Sequence, residues 1–240
     1  ELIIPDRTWK DFFQEDEVEK LVLGNHGCCI EGIAGTGKTT LAKRLIQSLR
    51  DAGKKVFVCS KMHTTSLLLG GVTVNHLCFK YVNYGTFRGD FLVIDEISQL
   101  DLHLWNQLQK LKHMGCKFIC LGDWNQFSSI SPNTWTGRTL PDTCIQESNL
   151  LQILCDNNRI CLKEPKRSDV ELFNYYASLI DGGSRYQLPL AEVLAEARVK
   201  FPAKPGFPDL SLCISHMLRR TLNRQQNRAT APADSLQIQT

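Results

Sequence analysis

The eight residues Gly32-Ile-Ala-Gly-Thr-Gly37-Lys38-Thr39 constrain the fold of this chain more than any other feature. They fit G-x-x-x-x-G-K-[ST] at every fixed position, a pattern that works only between a strand and a helix. The glycines let the backbone turn tightly enough for consecutive N–H groups to face one anion. The helix that follows adds its positive N-terminal end. Both flanks meet the requirement. Gly27–Glu31 is a short apolar run ended by Gly32. Lys38–Arg50 carries Leu41, Leu45, Ile46 and Leu49 at helical spacing before Asp51-Ala-Gly53 stops it. The loop therefore predicts a nucleotide-phosphate site. Its candidate residues are Gly32, Ala34, Gly35, Thr36, Gly37, Lys38, Thr39 and Thr40, with Lys38 neutralising the β- and γ-phosphates of ATP and Thr39 ligating Mg2+. A dinucleotide reading of Gly35-Thr-Gly37 is weaker, because Thr40 stands where a third glycine is needed.

Short apolar runs alternate with helical patterns along the next hundred residues. Lys55–Ser60, Phe91–Asp95 and Lys117–Leu121 read as strands, and Leu102–Lys112 as a helix between the last two. That alternation predicts an α/β fold, a doubly wound parallel sheet covered by helices on both faces. Arg159–Leu162 is a fifth strand candidate, and Val170–Leu179 a helix ended by Asp181-Gly-Gly183. Ser131–Thr143, rich in Pro, Gly, Asn and Thr, reads as a loop. Phe201–Pro208 holds three prolines and a glycine and reads as a linker before a strand at Leu210–Ser215. A helix over Met217–Asn227 follows, with Arg219, Arg220 and Arg224 along it, Arg228 at its end and no acidic residue between them.

The expected division is an ATPase domain at 1–202, a linker at 203–209 and the start of a second domain at 210–240. At roughly 150 residues per domain, 240 residues make about one and a half domains. The remainder, with the missing initiating Met, predicts a piece of a longer protein.

Composition excludes several classes. Hydrophobic residues at 42% and charged residues at 22% argue against dominant disorder. No apolar run approaches the ~18 residues of a membrane span, and ELIIPDRTWK lacks a signal-peptide core. The net charge of +3 permits a nucleic-acid partner without arguing for one. Ten cysteines occur with no C-x-x-C pair. Cys28, Cys29, Cys59, Cys120 and Cys213 fall in apolar runs, so they read as reduced, buried thiols of an intracellular protein rather than zinc ligands.

Two further motifs carry chemistry. Asp95 and Glu96 end the apolar run Leu92-Val-Ile, which puts adjacent carboxylates at the ligand edge of a parallel sheet. Asp95 would enter the Mg2+ shell and Glu96 would polarise the attacking water. Gln126 closes the turn Gly122-Asp-Trp-Asn-Gln126 after the next strand, where its amide can report a γ-phosphate. Trp124 and Trp105 read as packing residues.

The order GxxGTGKT, IDE, GDxxQ resembles superfamily 1 helicases. More of the chain fits. Ser60–Thr65 looks like the family's first DNA-contact motif, and Gly70-Gly-Val-Thr73-Val-Asn-His76 resembles a segment of its RecD-like, 1B branch. The resemblance implies DNA contacts from Ser60, Thr64, Thr73 and His76. Gln14, 18 residues before Gly32, matches the adenine-reading glutamine. Arg167, within Leu162-Lys-Glu-Pro-Lys-Arg-Ser-Asp169, matches an arginine that reaches the γ-phosphate. Ile214-Ser-His216 through Asn223 resembles the opening of a second RecA-like domain. The wording is nearest to helicases of large DNA viruses and mobile elements.

The family's last two motifs are absent from these 240 residues, and only 18 residues separate His76 from Asp95, little room for an inserted strand-splitting domain. What the resemblance implies is an ATP-dependent helicase core that moves on single-stranded DNA. Two other readings stand beside it: an RNA helicase of the same superfamily, and a phosphate-loop switch that does not translocate.

Overall fold

The computed structural model describes residues 8–126, 145–146, 148–180, 182–202, 206, 211, 213 and 215–230. Among them, seven strands form one sheet: β1 (Lys10–Phe12), β2 (Cys28–Glu31), β3 (Val56–Ser60), β4 (Val72–Thr73), β5 (Phe91–Asp95), β6 (Lys117–Gly122) and β7 (Asn158–Cys161). Their order is β1-β7-β2-β6-β5-β3-β4 and every pairing is parallel. The chain moves outward from β2 through β3 on one side. After β6 it passes over β2 to β7 on the other, so loops of opposite course meet beside β2. A parallel sheet opens its ligand crevice at such a point, beyond the carboxyl ends of the strands.

Alternating side chains explain why both faces are covered. Cys29, Cys59, Leu92, Ile94, Phe118 and Cys120 face one layer. In it lie α5 (Leu102–His113), through Leu104, Trp105, Leu108 and Leu111, and α6 (Asn149–Leu154), through Leu151 and Leu154. Cys28, Ile30, Phe91, Val93, Ile119 and Leu121 face the opposite layer. There α1 (Glu15–Leu23) contributes Val18 and Val22, and α2 (Lys38–Asp51) contributes Leu41, Leu45, Ile46 and Leu49. Burial of a large aliphatic side chain stabilises by roughly 1.5–3 kcal/mol, so these two layers set the frame that the edge loops inherit.

Between β3 and β5 the elements are short: α3 (His63–Leu68), α4 (Val74–Leu77) and a π-helical turn over Cys78–Val82. α7 (Val170–Ala177) follows β7, its N-terminus capped by Asp169, whose Oδ1 accepts the Leu172 N–H at 2.8 Å.

The chain parts into two compact units, Glu1–Tyr186 and Gln187–Thr240. The sheet and its helices belong to the first. The second holds α8 (Leu190–Lys200) and α9 (His216–Thr230), neither with a buried residue. The expected division at 202/203 sets α8 with the first domain, whereas the compact grouping sets it with the second. The linker expected over 203–209 and the strand over 210–215 fall largely outside the described residues, as does the loop over 131–143.

Among the described residues seven cysteines are buried, including Cys28, Cys29, Cys59 and Cys120 as expected. Burial pushes the thiols of Cys28 and Cys59 well up, and Cys116 to about 12. Cys213 departs from the expectation, being only partly buried.

Candidate active site

The phosphate loop leaves the carboxyl end of β2 and enters α2 at Gly37, the residue before Lys38. Gly35 (φ 86°) and Gly37 (φ 96°) are left-handed, a conformation that costs an L side chain roughly 1–2 kcal/mol. At Gly37 a Cβ would also stand 2.8 Å from Lys166 Cδ. The Lys38 ammonium donates to the carbonyls of Gly32 (2.5 Å) and Ile33 (3.2 Å) within its own loop. Burial lowers its pKa, while the carboxylates of Asp123, Glu96 and Asp95 act to hold its proton. Thr36 is buried and its hydroxyl donates to Ile33 O at 2.8 Å, so only its backbone is left to serve a ligand.

β5 delivers the acidic pair to the same edge. Asp95 is 4% exposed. Burial raises its carboxyl above the usual range, although its Oδ1 accepts the Glu96 N–H at 2.9 Å. Glu96 takes up the left-handed conformation (φ 57°, ψ 50°), a strained one for a residue with a side chain. Burial, then the Asp95 charge, raises its pKa as well, with Lys38 opposing. A hydroxyl at Thr39 and a carboxylate at Asp95 are hard oxygen donors of the kind Mg2+ accepts when phosphates and water complete its shell.

β6 supplies the third corner. Gly122 has no room for a side chain, because Ile97 of the turn after β5 packs against its Cα. This contact joins the acidic motif to the Gln126 turn. Trp124 packs against one core layer and donates its indole N–H to Glu31 Oε1 at 3.0 Å, tying the turn to the end of β2. The packing role expected of Trp105 and Trp124 is met.

The segment after β7 straps the phosphate loop from outside. Leu162 N–H donates to Glu31 O at 2.8 Å and Lys166 N–H to Gly35 O at 2.8 Å. Tyr176 of α7 donates its hydroxyl to Ala34 O at 2.9 Å. Arg167 is thereby brought over the loop. One cavity of about 650 Å3 is lined by Ala34, Gly35, Gly37, Lys38, Thr39, Thr40, Asp95, Glu96, Gln126, Lys166 and Arg167. All four candidate catalytic residues meet there. Gly32 lies off this cavity, at the base of the loop. Gln14 and Thr36 line a neighbouring cavity of about 590 Å3, which shares Lys166 with the first.

The expected nucleic-acid residues separate. Ser60 stands in register with Asp95 on one side and Thr73 on the other. It is fully buried, so the expected contact with DNA is corrected: its hydroxyl does not reach the surface. Thr64 and His76 are exposed. The Thr73 hydroxyl accepts the His76 N–H at 3.2 Å and caps α4.

Sequence reasoning missed three residues of the site. Asp123 holds Gln126 and lay inside a motif already read. Lys166 and Tyr176 act across sequence separations that no local pattern marks.

Comparison with known proteins fits this geometry. The sequence profile of the AAA domain matches residues 12–159. The chain belongs to the AAA-domain family. Within it, the chain is similar to the ATP-dependent DNA helicase PIF3 of Trypanosoma brucei brucei, 30% identical over 137 residues that make up 48% of this chain and 17% of the relative. It is similar also to the ATP-dependent DNA helicase PIF1 of Candida albicans, 27% identical over 153 residues, 50% of this chain and 16% of the relative. The AAA-domain fold superposes on the crystal structure of Pif1 helicase from Candida albicans with a TM-score of 0.68 at 24% identity, covering 92% of this chain and 54% of that one. For Pif1 helicase from Bacteroides in complex with ADP-AlF3 and ssDNA the TM-score is 0.60 at 16% identity, covering 93% and 57%. The expected α/β fold, a RecA-like parallel sheet with a phosphate loop, is thus established. The chain spans about a sixth of the two curated relatives and about half of the two solved chains.

Proposed function

We propose that this chain is the ATP-hydrolysing part of a DNA helicase that moves on single-stranded DNA. The observation that carries this is the meeting of Lys38, Glu96, Gln126 and Arg167 on one cavity beside the phosphate loop. Lys38 and the loop N–H groups hold the phosphates. Thr39 and Asp95 would hold Mg2+, which neutralises phosphate charge when bound. Glu96 takes a proton from the attacking water as the water oxygen bonds to the γ-phosphorus and the bond to the ADP oxygen breaks. Gln126 orients that water or the γ-phosphate, and Arg167 offsets charge on the transferred group. Gln14 reads the base from the neighbouring cavity. Thr64 and His76, exposed beyond β3 and β4, would contact the strand, and closure around ATP would shift the grip on it.

The finer reading places the chain in the RecD-like 1B branch, on the wording of Gly70 through His76. It gives the chain an origin near large DNA viruses or mobile elements and a place of action inside the cell. In the same reading, 210–240 begins a second RecA-like domain.

The deciding measurement is ATP hydrolysis by the protein at its full natural length, with and without oligonucleotides. Strong stimulation by single-stranded DNA, abolished in Lys38→Ala, is expected. Stimulation by RNA alone would favour the RNA helicase reading. Hydrolysis without any response to a single strand, and without strand displacement, would favour the switch.

A further inference from the structure

Lys166 sits on the wall between the cavity that holds Gln14 and the cavity that holds the phosphate loop, and lines both. Its backbone is fixed, since its N–H donates to Gly35 O at 2.8 Å. Its side chain lies across Gly37, with Nζ 3.5 Å from where a Cβ on that glycine would stand. The ammonium is therefore already at the rim of the phosphate cradle. In the structure it pairs with Glu15 Oε1 at 2.5 Å, with the lysine side chain 46% exposed. An ion pair this exposed is weak. Glu15 has a second cation: its Oε2 is 3.3 Å from Arg44, which also pairs with Asp16 and Glu19. Glu15 would stay paired if Lys166 turned away.

We propose that Lys166 is a second phosphate-binding cation, which leaves Glu15 for the α- and β-phosphates of a bound nucleotide. The proposal rests on the nucleotide-site reading above. The position argues for those phosphates and not the γ-phosphate, because a nucleotide passing from the Gln14 cavity to the loop crosses Lys166 before it reaches Lys38. A flexible ammonium with three donors suits a phosphate as a point charge. Two anions then compete for one cation, and the polyphosphate carries the larger charge. Glu15 thereby tunes nucleotide affinity.

Calorimetric titration of this chain with ADP and with Mg2+-ATP tests the proposal in Lys166→Ala, Lys166→Arg and Glu15→Gln. Lys166→Ala is expected to weaken ADP and ATP equally, by about fivefold to tenfold, the span of one partly screened charge-assisted contact. Lys166→Arg should keep most of the affinity. Glu15→Gln should tighten ADP about twofold to threefold, because it frees the ammonium. Both Lys166→Ala and Glu15→Gln break the same exposed tie, and Glu15→Gln also loses its pair with Arg44, so small decreases in melting temperature are expected in both, the larger in Glu15→Gln. Opposite signs in affinity with equal signs in stability are what a merely structural tie would not produce. The proposal falls if Lys166→Ala binds ADP as the parent does, if only ATP is affected, or if Glu15→Gln weakens binding as Lys166→Ala does. Failure of the parent chain to bind either nucleotide would instead overturn the nucleotide-site reading.

Discussion

Gln126 is held by Asp123: its side-chain amide donates to Asp123 Oδ2 at 2.9 Å, while Asp123 Oδ1 accepts the Asn125 N–H at 3.1 Å. Asp123 is 3% exposed, so the carboxylate fixes together the turn and the side chain proposed to sense the γ-phosphate. Asp123→Ala leaves these donors without their acceptor and is expected to lower stability by about 1–3 kcal/mol. It should also lower kcat for ATP about tenfold, while Asp123→Asn, which keeps an acceptor oxygen, loses less of both. Paired melting curves and steady-state kinetics would show whether the two losses track each other.

Glu96 combines a strained backbone with a carboxyl that burial and the neighbouring Asp95 charge push upward. A general base contributes about 10²–10⁴ in rate, and Glu96→Gln should lose that much in kcat while retaining nucleotide affinity. Asp95 is buried and Glu96 partly so, and removing one of these two adjacent charges should also raise stability, by about 0.5–2 kcal/mol. Because the Glu96 pKa is raised, the acid limb of the ATPase profile should lie above the ordinary glutamate range. A kcat profile that stays flat down to that range would count against Glu96 as the base.

Asp156 closes the opposite edge of the sheet. It receives Lys112 Nζ at 2.5 Å, Gly27 N–H at 2.8 Å and Lys117 Nζ at 3.4 Å. Burial pushes its carboxyl up, but the bonds from Lys112 and Gly27 and the two lysine charges outweigh it, and its pKa is lowered. A carboxyl depressed on folding adds stability above its unfolded pKa of about 3.9. That stability is lost as pH falls through the lower folded value. Asp156→Asn should therefore melt about 2–6 °C below the parent at neutral pH. The gap should close below about pH 4. A gap that persists in acid would mean that the ion pairs are not its source.

Thr73 and His76 are neighbours with different expected roles. The Thr73 hydroxyl is engaged in capping α4, so Thr73→Ala should cost stability, about 0.5–2 kcal/mol, with little direct effect on single-strand affinity at a permissive temperature. His76 is exposed, and His76→Ala should weaken single-strand binding with unchanged basal ATPase. Filter binding at two temperatures, beside basal turnover, separates the two. Equal behaviour of the variants would argue against a contact from His76.

Much of this site was legible because its physics is local. A glycine-rich turn between strand and helix and an acidic pair ending an apolar run each announce themselves within ten residues. The interior strands and the helices α2, α5, α7 and α9 fell within a few residues of their expected bounds. β1 and β4 were not legible, because two or three residues cannot display an alternation. α1 was missed although Val18 and Val22 give it a buried face. The passage of the chain over β2 to β7 is tertiary, and with it the placing of Lys166 and Tyr176 on the phosphate loop. Ser60 misled for a physical reason: the motif it opens lies at a strand end, where the last paired residue still faces the core.

The outermost strands of the sheet, β1 and β4, have three and two residues. An open sheet invites another chain to extend its ladder in proportion to the length of backbone left unpaired at its rim. Among the described residues, the longer, more apolar strands β2, β5 and β6 are enclosed, and the strands at the rims present only three and two residues of backbone. In the folded state, then, the sheet is poorly suited to seed strand addition between copies. Any tendency of this protein to aggregate should follow the population that has lost β1 or β4, rising with partial unfolding more than with concentration alone.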